Sequence, residues 1–325
     1  MFNALLGCYA GALAGASWHK NDGVPSDTEI WGESIKLNQD AVTSVAMGTV
    51  CAEIYADDPK LEQSDDELKA RIIKRFQQLC RQIKDVKYTD HFKDWLESES
   101  PLPYRSLGAG AALRAVAPAM LFMSLESSLR MTKLCVEITH SHPKGINGAL
   151  AMAILLKGIH LKAKMADIKS FLSKHFSFDM DRDLDSWQQE PPQKASCEEC
   201  IPAAMAALQA STTFNEAIQN ALSINGPRVT AALTGALAMA FYHKDEALEN
   251  GGKDGGMQWA VAVLTTISSP EKIELCHGII EIPKIKNKEN SASPKTFLLD
   301  LLHSKLDVLN CLDDTTNSKF LKFIV

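Results

Sequence analysis

Four short stretches carry residues whose types and spacing could do chemistry. Residues 139–143 read THSHP, with two histidines before a proline of the kind that begins a helix. Residues 108–118 read GAGAALRAVAP, whose glycines can present backbone N–H groups to an anion. An acid in NQDA (38–41) and a base in INGPR (224–228) each precede an Ala-rich helix. Each of these helix starts is either an ordinary buried helix end or a site for anionic oxygen.

The cysteines do not predict a zinc site. Of the eight, only Cys197 and Cys200 have metal-ligand spacing, and no second pair or well-spaced histidine completes the set. The pair leads directly into an apolar helix start. We therefore interpret both thiols as structural, and we expect the chain to be reduced and intracellular.

Composition excludes several classes of protein. The chain has 325 residues, 46% hydrophobic and 23% charged, which is ordinary for a soluble globular protein. A net charge of −6, without a block of like charge, argues against nucleic-acid binding. No run of eighteen apolar residues predicts a membrane span. The first residues resemble a signal peptide but lack a positive n-region, and Gly7, Gly11 and Gly15 instead favour a close-packed core helix.

Helical periodicity dominates the rest of the chain and predicts a single all-α domain over residues 1–325. The strand candidate IIEIPKI (279–285) is weakened by its proline, and the polar stretches 177–196 and 284–295 are interpreted as surface excursions. Ser64 followed by Glu67 is a helix-start signature. Predicted helices lie near residues 3–16, 40–55, 65–84, 107–122, 125–138, 146–160, 164–176, 200–210, 214–223, 228–242, 256–267 and 296–311.

Taken in chain order, the four stretches and the N-terminal helix resemble the motifs of the ADP-ribosylglycohydrolases. This family includes ADP-ribosylarginine hydrolases. NALLGCYAGALAG (3–15) is similar to the family's GALLGLAxGDALG-like opening helix, and NQDA to its SDDT signature. GAGAALRAVAP corresponds to GNGALMRxAP, THSHP is present intact, and INGPRVTAALTGALAMAFY matches GGDxDTxAAIAGALAGAYY. The resemblance spans residues 3 to about 242. It implies the family's all-α fold, with 243–325 completing the domain, and hydrolysis of ADP-ribose conjugates.

The chain departs from the family at the acids that hold its two divalent metals. The acids of GGDxDT are replaced by Gly226 and Arg228, and those of SDDT read Gln39 and Asp40. Magnesium needs several hard oxygen ligands, which one carboxylate beside a guanidinium does not supply. We therefore expect no metal site and no cofactor, with both family metals lost.

Asp40 is the predicted catalytic residue. Cleaving the bond between the distal ribose and a guanidinium nitrogen passes through an oxocarbenium-like state. A carboxylate can stabilise that charge or take a proton from water. The alternative is an aspartate that caps its helix and stabilises it by about 1 kcal/mol. Glu29 and Glu33 are the next candidates for an acid.

The resemblance also implies the residues that contact ADP-ribose. For His140 and His142, the alternative to ligand contact is a loop that caps the following helix, with both rings in solvent. Arg114 is predicted either as a phosphate ligand or as a helix arginine paired with a glutamate or a carbonyl group. Trp18 and Trp31 are expected either to stack on adenine or to pack in the protein interior. The predicted ligand-binding set is Asn38, Gln39, Gly108, Ala109, Gly110, His140, His142, Asn225, Gly226 and Arg228.

Three functions remain open at this point. The chain is an atypical, metal-independent ADP-ribosyl hydrolase acting on modified arginine, a pseudoenzyme that binds ADP-ribose without cleaving it, or a structural, crystallin-like protein. We favour the hydrolase, because a retained central acid indicates altered chemistry. We expect a cytoplasmic monomer whose partner is ADP-ribose or an ADP-ribosylated protein, and neither nucleic acid nor a membrane.

Overall fold

The computed structural model describes residues 2–17, 37–83, 86–122 and 124–242. Within these ranges it contains twelve α-helices and no β-strand, which confirms the predicted all-α class. The helices are α1 Phe2–Ser17, α2 Gln39–Asp57, α3 Asp65–Gln82, α4 Asp90–Glu97, α5 Gly110–Leu121, α6 Leu125–Glu137, α7 Pro143–His160, α8 Met165–Phe176, α9 Leu184–Gln189, α10 Cys197–Gln209, α11 Phe214–Ser223 and α12 Val229–Tyr242.

Several predictions lie outside the described residues. They are the helices near 256–267 and 296–311, the strand candidate at 279–285, and the expectation that 243–325 completes the domain. Trp18, Trp31, Glu29 and Glu33 also lie outside. No helix in the described ranges combines the length and the hydrophobicity that crossing a bilayer requires.

The described helices agree with the sequence pattern except at a few ends and for two short helices. Ser64 and Glu67 form the predicted capping box at the start of α3. The short helices α4 and α9 were not predicted, and α9 lies in the supposed surface stretch 177–196, where it buries Trp187. The helix predicted near 228–242 is α12, which begins at Val229 and ends at Tyr242.

Glycine determines how closely α1 and α12 approach each other. A Cβ atom on Gly11 would lie 2.1 Å from the carbonyl oxygen of Ala231, and one on Gly7 would lie 2.2 Å from that of Gly235. No side chain fits at such distances, so the two helices are in backbone contact. The predicted close-packed core helix at the N-terminus is therefore confirmed.

Helix α5 occupies the centre of the molecule and packs on α2, α6 and α7, while α12 packs on α1, α10 and α11. Cys197 and Cys200 are buried at the start of α10, as expected for structural thiols. Two isolated bridges fix the segment before α5: Tyr104 pairs with His140, and Gly108 pairs with Ser196. These bridges bring the starts of α5, α7 and α10 together.

Candidate functional site

The N-termini of several helices converge at one end of the molecule. The Ala109 N–H donates to the Ala195 carbonyl at 2.7 Å, which joins the start of α5 to the segment that leads into α10. A Cβ on Gly145 would lie 2.7 Å from the Ser106 carbonyl, so the first turn of α7 also packs here. Converging helix N-termini create positive potential, which favours anionic groups.

Asp40 lies in the first turn of α2, near the same end of the molecule. The cap of this helix is Asn38, whose side-chain oxygen accepts from the Ala41 N–H at 2.8 Å. The Asn38 amide nitrogen donates to the Ala12 carbonyl at 2.9 Å and thereby ties α2 to α1. The capping alternative for Asp40 is therefore wrong, because Asn38 already performs that role. The carboxyl group of Asp40 is not needed to cap α2.

Burial and nearby charge act on the pKa of Asp40 in opposite directions. Burial raises the pKa of its carboxyl group from 3.8 to about 6, and the positive charges of Arg114 and Arg228 act to lower it. The residue keeps partial exposure at the surface. A carboxylate whose pKa lies near 6 is largely ionised at neutral pH, yet it accepts and returns a proton readily. These are the properties of a general base.

Arg114 lies beneath the surface of the site rather than at its mouth. Only 3% of the residue is exposed, and its Nη1 contacts the Gly110 carbonyl and His140 Nδ1, both at 3.3 Å. Its guanidinium also lies over the rings of Phe76 and Phe92, at 5.5 and 5.3 Å. The carbonyl-paired alternative is therefore the correct one, and a direct contact between Arg114 and phosphate is excluded by burial.

His140 is a buried, neutral part of the loop. Its Nδ1 accepts from the Thr139 hydroxyl at 2.9 Å, and its ring also interacts with the Gly108 carbonyl. Burial and the Arg114 charge hold its pKa well below the usual range. Only 3% of the residue is exposed, so the ring does not reach the surface of the protein. The expectation that His140 donates to phosphate is corrected on this ground, and so is the alternative of a solvated ring.

His142 differs from its neighbour in burial and in role. It is half-buried and caps α7, with its Nδ1 accepting from the Lys144 N–H at 3.1 Å. Because Nδ1 is an acceptor, Nε2 carries the proton in the neutral ring and can donate to a ligand. The cap alternative and the ligand prediction are therefore compatible at His142.

The glycine loop offers fewer backbone donors than the sequence predicted. The Gly108 N–H donates to the Ser106 hydroxyl at 3.0 Å, and the Ala109 N–H is bound to Ala195. Neither group can serve phosphate in this arrangement, which corrects that expectation for Gly108 and Ala109. A Cβ on Gly110 would meet only Arg114 Nη1, at 3.7 Å, so the space in front of this residue is open.

The remaining residues predicted to contact ADP-ribose lie near the starts of α2 and α12. Gln39 accepts from the Thr89 N–H at 2.7 Å and so holds the start of α4. Arg228 is exposed just before α12, where its charge reaches Asp40. Asn225 has a left-handed φ of 58°, and its N–H donates to the Leu222 carbonyl, so it ends α11 rather than capping α12. Gly226 packs against Pro192.

The donor set around Asp40 does not fit a divalent metal. No group of three or more histidine, cysteine or acidic side chains suitable for an ion exists among the residues that the structure describes. The charged groups that influence Asp40 there are the two guanidiniums of Arg114 and Arg228. A cation in that position would face repulsion from both of them. The described residues around Asp40 therefore do not supply the several oxygen ligands that magnesium requires.

Three residues that contact the predicted site residues were not predicted from the sequence. The Ser106 hydroxyl accepts from the Gly108 N–H, and the Thr139 hydroxyl contacts His140 Nδ1. The Tyr104 hydroxyl interacts with the Arg114 guanidinium. One signal was available for Arg114, which is the only charged residue in the apolar run 107–122. A lone charge on a buried helix must have partners inside the protein. For Ser106 and Thr139, no sequence pattern distinguishes them from ordinary loop residues.

The match to a known family covers three of the five motifs, those at 108–118, 139–143 and 224–242. The family model described as ADP-ribosylglycohydrolase matches residues 62–248, which include α3 to α12. No curated protein sequence shows significant similarity to this chain. Among solved structures, one chain titled "ADP-ribosylglycohydrolase-related protein complex" aligns with a TM-score of 0.56 and 13% identity. The alignment covers 87% of this chain and 96% of that one. At this identity the likeness concerns the fold alone.

Proposed function

Because the chain belongs to the ADP-ribosylglycohydrolase family, we propose that it hydrolyses ADP-ribose from modified arginine without a metal ion. Family membership supports an ADP-ribosyl hydrolase activity in general. The proposal adds the arginine linkage and Asp40 as the catalytic residue. The observation that carries it is the place of Asp40 in the first turn of α2, where Asn38 is the cap and the charges of Arg114 and Arg228 act on the Asp40 carboxyl group.

The chemistry of the proposal balances with water as the only co-reactant. The bond between the anomeric carbon of the distal ribose and the arginine nitrogen breaks, and positive charge develops on the sugar. The Asp40 carboxylate stabilises that charge and takes a proton from water as the water oxygen bonds to the anomeric carbon. The proton then passes to the released guanidine, which leaves as a guanidinium. Asp40 returns to its ionised form.

Residues around Asp40 supply groups that can bind the diphosphate of ADP-ribose. Arg228 is exposed and positively charged, and the Nε2 of His142 can donate to an anionic oxygen. Open space in front of Gly110 lets a ligand approach the backbone at the start of α5. The helix N-termini that meet here add further positive potential.

The test is release of ADP-ribose from an arginine-modified protein, with and without excess EDTA. We expect turnover by the wild type that EDTA leaves unchanged. The Asp40→Asn variant should lose at least about a hundredfold in turnover, the low end of the effect of a catalytic acid–base group. A matched control is Asp57→Asn, at the opposite end of the same helix, where the exposed carboxylate pairs with Arg71. This variant should retain wild-type turnover.

Other outcomes would select other functions. Activity that EDTA abolishes and magnesium restores would refute the metal-free mechanism. Binding of ADP-ribose without any cleavage would identify a pseudoenzyme, and the absence of both would favour a structural role. Near-normal turnover of Asp40→Asn would assign the chemistry to another residue, with Glu29 and Glu33 the next to test.

A further inference from the structure

Two thiol groups in the interior contact each other between two helices. Cys51 lies in the second half of α2 and Cys135 in the last turn of α6. Their sulfur atoms are 3.6 Å apart, and both residues are fully buried. The two cysteines are separated by 84 positions in the sequence, so tertiary packing alone brings them together.

The other described thiols have different surroundings. The thiol of Cys8 donates to a serine hydroxyl at 3.5 Å, and those of Cys197 and Cys200 lie 3.6 and 3.7 Å from backbone carbonyl oxygens. Within the described part of the chain, Cys51 and Cys135 are the pair whose sulfur atoms are in contact. A reaction between two thiols is therefore expected at this pair before any other described thiols.

We propose that Cys51 and Cys135 form a disulfide bond in an oxidising thiol–disulfide environment, and that this bond reversibly cross-links α2 to α6. A disulfide has a sulfur–sulfur distance of about 2.05 Å, so the two sulfur atoms have to approach by about 1.5 Å. Rotation of the two side chains and a small shift of the helices supply that approach.

The oxidant is a low-molecular-weight disulfide, for example oxidised glutathione. One cysteine thiolate attacks a sulfur atom of the oxidant, which forms a mixed disulfide and releases one small thiol. The second cysteine thiolate then attacks the protein sulfur of the mixed disulfide, which closes the bond and releases the second small thiol. The protein loses two electrons and two protons, and the oxidant gains them. The existing contact favours the second step, because the attacking thiol is already adjacent.

Burial determines when the first step occurs. Burial and the neighbouring Cys135 raise the pKa of the Cys51 thiol well above its usual value. A buried neutral thiol is inert toward exchange, so the oxidant reacts while the chain folds or while the helices open locally. Once closed, the cross-link restricts the unfolded chain over a long sequence separation, which stabilises the folded state.

The first experiment maps the bond in the full chain. The protein is refolded from urea in buffers of defined ratios of oxidised to reduced glutathione, free thiols are alkylated, and peptides are identified by mass spectrometry. We expect a peptide pair that joins Cys51 to Cys135, lighter by two hydrogen atoms than the two thiol peptides and separated by dithiothreitol. The map also distinguishes this bond from bonds of Cys276 or Cys311, which lie outside the described residues. Recovery of Cys51 and Cys135 as alkylated thiols at every ratio would overturn the proposal.

Urea unfolding tests whether the bond stabilises the fold. The oxidised wild type should unfold at a higher urea concentration than the same protein after treatment with dithiothreitol. This comparison needs no variant, so it holds even if a substitution prevents folding. Equal midpoints for the two forms would contradict the stabilising cross-link.

Matched variants assign the effect to the pair. Cys51→Ala and Cys135→Ala should each abolish the difference between the oxidised and reduced forms. Cys80→Ala is the control, because Cys80 is also fully buried but has no sulfur–sulfur contact among the described residues. It should keep the difference, and its loss in this control would show that the pair is not responsible.

Oxidation of the folded protein tests the role of burial. With excess oxidised glutathione, the bond should form slowly in buffer and faster as urea is added below the unfolding transition, because urea promotes local opening. A fast rate that urea leaves unchanged would contradict control by burial. None of these measurements requires turnover, so each is independent of the proposed hydrolase activity.

Discussion

At the scale of single residues, buried charge dominates the behaviour of this site. Asp40 binds its proton more tightly in the folded protein than in the unfolded chain, because burial raises its pKa from 3.8 to about 6. Its contribution to stability is therefore full below about pH 4 and is lost as the pH rises through about 6. The same ionised carboxylate that the proposed reaction uses is thus unfavourable for folding.

This opposition predicts that Asp40→Asn stabilises the protein at neutral pH. The free energy of unfolding, measured with urea, should match that of the wild type near pH 4. Above pH 7 the variant should be more stable by about 1 to 3 kcal/mol, a range lowered to allow for the partial exposure of Asp40. A variant that is less stable than the wild type at pH 8 would show that Asp40 stabilises the fold.

At the scale of the elements, the site depends on where helices begin. Asn38 caps α2, His142 caps α7, and Asn225 ends α11 shortly before α12 begins. Polar residues that satisfy the backbone at helix ends stand beside those available for a ligand. Substitutions at these positions therefore alter both stability and binding, and the two effects have to be separated by choice of side chain.

His142 allows such a separation. His142→Ala removes both the cap and the Nε2 donor, and should cost about 1 kcal/mol in stability as well as ligand affinity. His142→Asn keeps a capping oxygen but is too short to reach the position of Nε2. We expect near-wild-type stability for the asparagine variant and weakened binding of ADP-ribose by calorimetry in both. Unchanged affinity in both variants would remove His142 from the site.

The contact between α1 and α12 makes a second prediction at this scale. Gly11→Ala places a methyl carbon 2.1 Å from the Ala231 carbonyl oxygen, so the two backbones must separate, and stability should fall by at least about 2 kcal/mol. Gly110→Ala is the matched control, since its added methyl meets no atom closer than 3.7 Å. Urea unfolding should show little change for Gly110→Ala. Equal losses would show that the close approach is not what Gly11 provides.

At the scale of the whole molecule, local charge matters more than net charge. The chain carries −6 overall, yet helix N-termini and the guanidiniums of Arg114 and Arg228 meet at one end. An anionic ligand is therefore attracted to one region of an otherwise acidic protein. A dication would instead meet two positive charges beside Asp40.

Thermal unfolding of the intact protein tests this difference. Free ADP-ribose should raise the melting temperature with the logarithm of its concentration once that concentration exceeds Kd, because it binds the folded state. Magnesium chloride should give no saturable rise, and EDTA should not lower the melting temperature. A clear stabilisation by magnesium would contradict the metal-free proposal, and no shift with millimolar ADP-ribose would contradict ligand binding.

The sequence by itself determined the helical class, the close contact of α1 with another helix, and the family. Helical periodicity, glycines at four-residue spacing, and five motifs in order are local features that a chain displays without its fold. The neighbourhood of Arg114 required tertiary structure, because its partners come from α3, α4 and the loop before α7. Tertiary packing buries the ring of His140 and leaves His142, two residues later, half-exposed. Exposure and electrostatic surroundings depend on long-range packing, which a local pattern of residues does not contain.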